Sequence, residues 1–184
     1  MLDELPDLDS IIVPVGGGNL IASCLWLAQV LDSPVNVVGV QSAMAPGATL
    51  SWLRGTMTEA DCRTAAGGLA TRRPGALALS IMDAYLRTMT VVDEEELGPA
   101  VVRTLSTTGL AVELAAAAGI AALDRVGGQL PGEGHGVVRT GGWCASPAAR
   151  TLQGCAVVGS HHGGPAGIGG VRVAPVGVAR LSGA

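Results

Sequence analysis

Three short stretches carry residue types and spacings that could do chemistry, and the first is a run of glycines. Gly16, Gly17, Gly18 and Asn19 join one apolar run to a second apolar segment. Consecutive glycines let backbone N–H groups approach an anion closely at the N-terminus of a helix. The loop lacks the G-x-G-x-x-G spacing, and it lacks the lysine and Ser/Thr of a P-loop. It therefore predicts a phosphate-binding loop, with a plain strand-to-helix turn as the alternative.

The other two stretches each offer one polar side chain. Thr140 precedes Gly141 and Gly142 at the end of the last predicted strand, where its hydroxyl could donate a hydrogen bond to a ring nitrogen. A strand-ending turn explains the same residues and is the simpler interpretation of them alone. Glu113 stands at the start of an apolar helix, where a carboxylate orients a polar ligand or, more commonly, complements the helix dipole.

Metal and triad chemistry find little support in the sequence. Cys144, Cys155, His161 and His162 are zinc-ligand types, but ten intervening residues and adjacent histidines do not match the usual paired spacings. We therefore expect no metal site and free thiols. A Ser/His/Asp set is not expected either, because His135 falls in a predicted glycine-rich loop and the other histidines lie near the C-terminus.

Alternating apolar strands and helices position these residues. A buried strand, a glycine loop, a helix and a second strand follow one another within about 30 residues, the length of a βαβ unit. The continued alternation predicts an α/β fold with an open parallel sheet and helices on both faces. Strands are expected at 11–15, 35–40, 88–92 and 136–140, and helices at 20–31, 48–54, 75–86, 94–106 and 113–125.

Composition excludes several classes of protein. Of the 184 residues, 48% are hydrophobic, yet no apolar run reaches the ~18–20 residues that span a bilayer. The acidic N-terminus is not a secretory signal, and a net charge of −4 argues against a nucleic-acid partner, so we expect a cytoplasmic protein. All acidic residues lie before residue 143. We therefore expect one domain over 1–142 and a disordered Gly/Ala-rich tail over 143–184.

The basic residues have an unusual composition, because all eleven are arginine. The chain has no lysine, so any reaction that needs a lysine amine cannot take that group from this chain.

Four stretches in this order resemble the second half of the fold-type II pyridoxal-phosphate enzymes, specifically the threonine dehydratase and serine dehydratase/racemase group. They match the family's glycine-rich phosphate loop, its V-x-G-V-E/Q strand, its A-D-G-[IL]-A-V-x-x-P-G run with a V-x-[DE]-E-E-[IL] helix start, and its V-E-P-[AS]-[GA]-A helix with an S/T-G-G-N ending. The matching residues are 13–22, 37–41, 64–75 with 90–97, and 111–118 with 138–142.

The resemblance implies a tryptophan-synthase-beta-like fold, pyridoxal 5′-phosphate as cofactor, and a complete enzyme that removes water and ammonia from threonine or serine. Gly16, Gly17, Gly18 and Asn19 would hold the cofactor phosphate through backbone N–H groups. Thr140 would hydrogen-bond the pyridine nitrogen. Gly68 would line the cofactor ring, and Glu113 would lie on the substrate side.

Departures from the family pattern matter equally. Asn19 replaces a glycine, Gly67 replaces the aspartate of A-D-G, and the resemblance ends at Trp143, where asparagine is usual. The family's cofactor-linking lysine belongs to an upstream half with no counterpart here. We therefore expect a chain that is inactive alone, as a C-terminal fragment, a frame-shifted product or part of a split enzyme, with a homo-oligomer or a missing N-terminal half as partner.

Two alternatives to the lyase interpretation stay open. One is a non-catalytic module that retains only a phosphate or pyridoxal-phosphate pocket. The other is a nucleotide-binding Rossmann-like domain. The latter is disfavoured because the second strand ends in Gly39, Val40 and Gln41, without the acidic ribose partner expected ~20 residues past the loop.

Overall fold

The computed structural model describes residues 8–139, 156–162 and 168–175. Six strands and five α-helices alternate along this part of the chain, with short 3-10 turns at Gly67–Leu69 and Gly127–Gln129. In chain order they are β1 (Ser10–Pro14), α1 (Asn19–Val30), β2 (Asn36–Ser42), α2 (Gly47–Arg54), α3 (Ala76–Tyr85), β3 (Thr88–Val92), α4 (Glu94–Thr108), α5 (Leu114–Val126), β4 (Gly134–Arg139), β5 (Ala156–His162) and β6 (Ile168–Pro175).

The sheet has the strand order β3-β2-β1-β4-β5-β6. Its first four strands are parallel, which confirms the predicted parallel sheet and each of its four strands to within about two residues. β4 begins at Gly134, and for that reason His135, expected in a loop, is buried in the sheet opposite Ser10. Because β1 is central, the loop that follows it opens at the middle of the parallel sheet.

Two antiparallel strands extend the sheet beyond β4. β5 pairs with β4, and β6 pairs with β5. Both lie within the segment 143–184, for which the sequence predicts disorder, so these two stretches of it are a correction to that expectation. The physical reason is that a parallel edge strand presents unpaired N–H and C=O groups, which a following hairpin can pair. Other residues of that segment lie outside the described part of the chain.

Helices cover both faces of the parallel strands, as predicted. Alternate residues of β1 point in opposite directions, and accordingly Ile12 joins the core beneath α4 and α5, whereas Ile11 and Val13 join the core beneath α1 and α3. Strands buried on both faces are continuous apolar runs, and all five residues of β1 are buried.

Small residues bring α5 close to the sheet. Residues 115–119 and 121–122 of this helix are all alanine or glycine and all buried. A methyl group at Gly119 would lie only 2.3 Å from Val137 Cγ1 of β4. The helix backbone therefore rests almost directly on the strand, and the space for it depends on glycine at this position.

The outer face of α1 is apolar and exposed. Trp26, Leu27, Val30 and Leu31 form one stripe on the C-terminal half of the helix and are each more than half exposed, and Leu77 on neighbouring α3 is 75% exposed. The homo-oligomer expected from the sequence stays a prediction. Among the described residues, no helix combines the length and hydropathy needed to cross a membrane.

Candidate functional site

The glycine loop lies at the carboxyl end of β1, where it leads directly into α1. The Val15 N–H still bonds to the Val40 carbonyl at 2.8 Å, so the loop leaves the sheet only after Val15. Gly18 is the N-cap of α1 with φ of 90°, a left-handed conformation that favours glycine. Open α/β sheets bind ligands at this edge, where helix N-termini follow strand ends.

The loop presents backbone donors that the protein leaves available. Among the described residues, no acceptor is assigned to the N–H groups of Gly16, Gly17, Gly18 or Asn19. The N-cap supplies no side-chain oxygen, and the first turn of α1 carries no acidic residue. The positive end of the helix dipole therefore faces the same space as these donors, which is an arrangement that binds an anion.

A neighbouring stretch, the 64–75 segment, packs against the loop at three points. A methyl group at Gly16 would lie 2.4 Å from the Gly68 carbonyl oxygen, and Pro74 lies beside Gly18. The Gly75 N–H donates to the Gly17 carbonyl at 2.9 Å. By contrast, a methyl group at Gly17 would meet nothing within 4 Å. Two of the loop glycines are thus closed in by protein, while the middle one faces open space.

The structure brings Gly68 and Glu113 close together, while their proposed roles stay predictions. Glu113 is the N-cap residue of α5, and its Oε1 would lie 3.5 Å from a methyl group at Gly68. The carboxylate is half-buried and makes no hydrogen bond to cap its own helix. A carboxylate is therefore present beside Gly68.

The other predicted candidate residues lie outside the described residues or in β5. Thr140, Cys144 and Cys155 lie outside the described residues. His161 and His162 belong to β5. No group of three or more metal-ligating side chains occurs within the part of the chain that the structure describes.

A carboxylate that the sequence analysis treats only as part of a helix start holds the 64–75 segment in place. Glu94 accepts hydrogen bonds from the Ser42 hydroxyl at 2.6 Å, the Thr64 hydroxyl at 2.5 Å and the Ala65 N–H at 2.9 Å. Burial alone would raise the pKa of this carboxyl, but the three donors outweigh burial, and the net pKa is lowered. Its contacts lie 29 to 52 residues away along the chain, and local sequence patterns cannot reveal them.

Glu94→Gln is expected to lower the free energy of unfolding at neutral pH by ~1–3 kcal/mol, because a charged acceptor is lost. The pKa of Glu94 is lower in the folded chain than in the unfolded chain. Its charged form therefore stabilises the fold above the ordinary carboxyl pKa of 4.5, and this contribution disappears as the pH falls through the folded pKa. Urea unfolding should show the gap between wild type and variant closing in acid.

Glu95→Gln is the matched control, since it removes an exposed carboxylate from the same turn of α4. Its effect on unfolding should stay within about 0.5 kcal/mol. A Glu94→Gln gap that persists unchanged in acid would contradict the assigned role of the charge.

A groove of about 290 Å³ borders the site between α1 and α3. Trp26, Leu77 and Ile81 line it, together with Asn19 at the end nearest the glycine loop. The lining is mainly apolar, so the groove belongs to the exposed face of α1 rather than to the backbone donors of the glycine loop.

Comparison with known proteins gives this geometry a family. Residues 1–141 match the family model described as "Pyridoxal-phosphate dependent enzyme", which is more than half of the chain. The chain belongs to this family. Members of the pyridoxal-phosphate dependent enzyme family use that cofactor, and the resemblance drawn from the motifs is therefore confirmed at the level of family, fold and cofactor.

The individual proteins similar to this family member include L-threonine ammonia-lyases, a threonine deaminase and a serine racemase. The chain is 37% identical over 124 residues to an L-threonine ammonia-lyase of Geobacter sulfurreducens and 33% identical over 124 residues to one of Thermotoga maritima. Each alignment covers 67% of this chain but 31% of the relative.

Solved structures show the same likeness. The T.th. threonine deaminase superposes with a TM-score of 0.72 at 27% identity, covering 79% of this chain and 54% of the other. Maize serine racemase shares the fold, with a TM-score of 0.73 at 24% identity, covering 82% of this chain and 48% of the other. The chain thus spans about a third of the curated relatives and about half of the structural neighbours.

Proposed function

We propose that this chain supplies the phosphate-binding half of a pyridoxal-phosphate dependent ammonia-lyase acting on threonine or serine. One observation carries the proposal: the loop after the central strand has four consecutive N–H groups without acceptors among the described residues, at a helix N-terminus that bears no acid. Family membership supports the phosphate of the cofactor as that anion. The two L-threonine ammonia-lyases support the reaction class.

The chain's own residues divide the work of holding the cofactor. The N–H groups of Gly16, Gly17, Gly18 and Asn19 donate to the phosphate, and the open space beside Gly17 receives it. Gly68 would line the cofactor ring, as the resemblance implies, and this position requires glycine because an added methyl group would lie 2.9 Å from Ala115 Cβ. Thr140, directly after β4, is proposed to donate to the pyridine nitrogen.

Glu113 is proposed to act on the substrate side of the ring. Its carboxylate lies beside Gly68 at the start of α5, where it can accept a hydrogen bond from the ammonium or hydroxyl group of an amino acid. The bound cofactor supplies an electron sink for the charge that develops on the amino-acid α-carbon. The protein residues named here would bind and orient the cofactor and the amino acid, and none of them carries a side-chain amine.

Binding without turnover is the expected behaviour of the isolated chain. Pyridoxal 5′-phosphate should bind on the order of tenfold or more tightly than pyridoxal, because only the former offers an anion to the loop. Equilibrium titration followed by absorbance measures both affinities. Threonine should give no 2-oxo acid product, since the chain contains no lysine to take the amine's role.

Two controls test the phosphate site and the absence of turnover separately. Inorganic phosphate should compete with pyridoxal 5′-phosphate but should not compete with any residual pyridoxal binding. Equal affinity for the two aldehydes would refute the phosphate site. Threonine turnover by the isolated chain would refute the proposal that this chain binds the cofactor but lacks the catalytic amine. Phosphate-dependent binding without turnover is also what the simpler alternative, a non-catalytic pocket, predicts for the chain on its own.

A further inference from the structure

We infer that Glu94 is a positioning residue for the phosphate-binding loop and acts through the 64–75 segment rather than by contact with the ligand. The inference rests on the proposed function, because the affected readout is the affinity for pyridoxal 5′-phosphate. It adds a role for a residue outside the loop and outside the predicted site.

The position of Glu94 in the fold is the first part of the argument. It is the first residue of α4, directly after β3 and the Asp93 cap. Its carboxylate bonds to Ser42 at the end of β2 and to Thr64 and Ala65 at the start of the 64–75 segment. One side chain therefore joins the carboxyl ends of two neighbouring strands to that segment.

The second part is that both hydroxyl partners relay the contact to the backbone. The Ser42 hydroxyl accepts from the Met44 N–H at 3.0 Å, and the Thr64 hydroxyl accepts from the Ala66 N–H at 3.0 Å. A carboxylate that accepts from a hydroxyl leaves the hydroxyl oxygen free to accept in turn. The backbone that contacts the Glu94 carboxylate is thereby fixed over residues 42–44 and over residues 64–66. Ala66 leads directly into Gly67–Leu69.

The third part is the contact between the 64–75 segment and the glycine loop. Gly68 closes over Gly16, and the Gly75 N–H holds the Gly17 carbonyl. The apolar residues Ala66 and Leu69 are buried and fix the depth of the segment. Hydrophobic contacts are non-directional, so they do not fix its rotation or its register along the loop. Directional, charge-assisted hydrogen bonds do so at its start.

Glu94 itself is kept off the ligand by this arrangement. Both of its oxygens are occupied by the protein donors, and a contact between this carboxylate and an anion would be repulsive. Its effect on affinity therefore comes from the order of the loop, since an ordered site does not have to be immobilised when the ligand binds.

The test compares Glu94→Ala with Glu95→Ala in the full chain. Both remove one carboxylate from the first turn of α4, but only Glu94 contacts the 64–75 segment. At a temperature well below the unfolding midpoint, we expect Glu94→Ala to raise the dissociation constant for pyridoxal 5′-phosphate on the order of tenfold. Glu95→Ala should leave this constant unchanged. Glu94→Gln, which can still accept from the two hydroxyls, should give an intermediate value.

Hydrogen exchange supplies a readout that a general loss of stability would not produce. In Glu94→Ala the amides of Ala65, Ala66 and Gly75 should exchange faster than in Glu95→Ala by a larger factor than the amides of β1 and α5, whose exchange reports the global loss of stability. If Glu94→Ala does not fold, Thr64→Val removes a single donor and should show the same local pattern more weakly.

Equal affinity and equal exchange in Glu94→Ala and Glu95→Ala would overturn the inference and leave the proposed function intact. If the wild-type chain shows no phosphate-dependent binding, the proposed function fails. The exchange comparison then decides separately whether Glu94 orders the segment, because it requires no ligand.

Discussion

Gly16→Ala is expected to destabilise the fold by ~1–3 kcal/mol or more and to remove detectable affinity for pyridoxal 5′-phosphate. The added methyl group would lie 2.4 Å from the carbonyl oxygen of Gly68, and that atom belongs to the backbone, so no side-chain rotation can relieve the contact. Either the loop or the 64–75 segment must move. Urea unfolding measures the loss of stability, and titration with the cofactor measures the loss of affinity.

Gly17→Ala is the matched control because it adds the same methyl group one residue later, where nothing lies within 4 Å. Stability should change by no more than about 0.5 kcal/mol. The affinity for the cofactor should fall in this variant too, because the new methyl group enters the space proposed for the phosphate. Stability is therefore the property that separates the two substitutions. Equal destabilisation by both substitutions would contradict the close packing of Gly68 on Gly16.

Gly119→Ala is expected to cost ~1–3 kcal/mol of stability, although alanine is the better helix former by about 1 kcal/mol. The reason is the 2.3 Å approach of the new methyl group to Val137 Cγ1, on a β-branched side chain that a packed strand holds in place. Chemical denaturation gives the free energy of unfolding directly.

A double-mutant cycle with Val137→Ala tests this cause. Val137→Ala alone should destabilise the chain by leaving a cavity, but Gly119→Ala made in that background should cost much less, because its methyl group occupies the vacated space. Additive effects of the two substitutions would show that the collision is not the cause.

Local patterns are sufficient to predict most of the parallel half of the fold. The apolar run at β1, the glycines after it and the apolar α1 each follow from neighbouring residues. The cap at Asp93, with its capping box to Glu96, depends only on residues three positions apart and therefore follows from local sequence. The position of the glycine loop at the sheet edge then follows from topology.

Long-range contacts and partner-dependent strands do not follow from local patterns. The role of Glu94 depends on Ser42, 52 residues away, and on a segment whose own pattern is irregular. The strands β5 and β6 lie in Gly-rich sequence without sustained alternation, and they are defined by pairing with β4 rather than by propensity. Thr64 begins the third family stretch, but nothing local links it to a carboxylate 30 residues further along the chain.

The anion-binding donors of the glycine loop are all main-chain amides, and an amide does not titrate in the physiological range. The loop therefore contributes no proton uptake or release when it binds a phosphate group. Any change in affinity between mildly acidic and neutral pH must come from the second ionisation of the ligand's own phosphate, near pH ~6, or from groups outside the loop. In the proposed complex the loop responds to the ligand's protonation state while the loop's own charge stays constant.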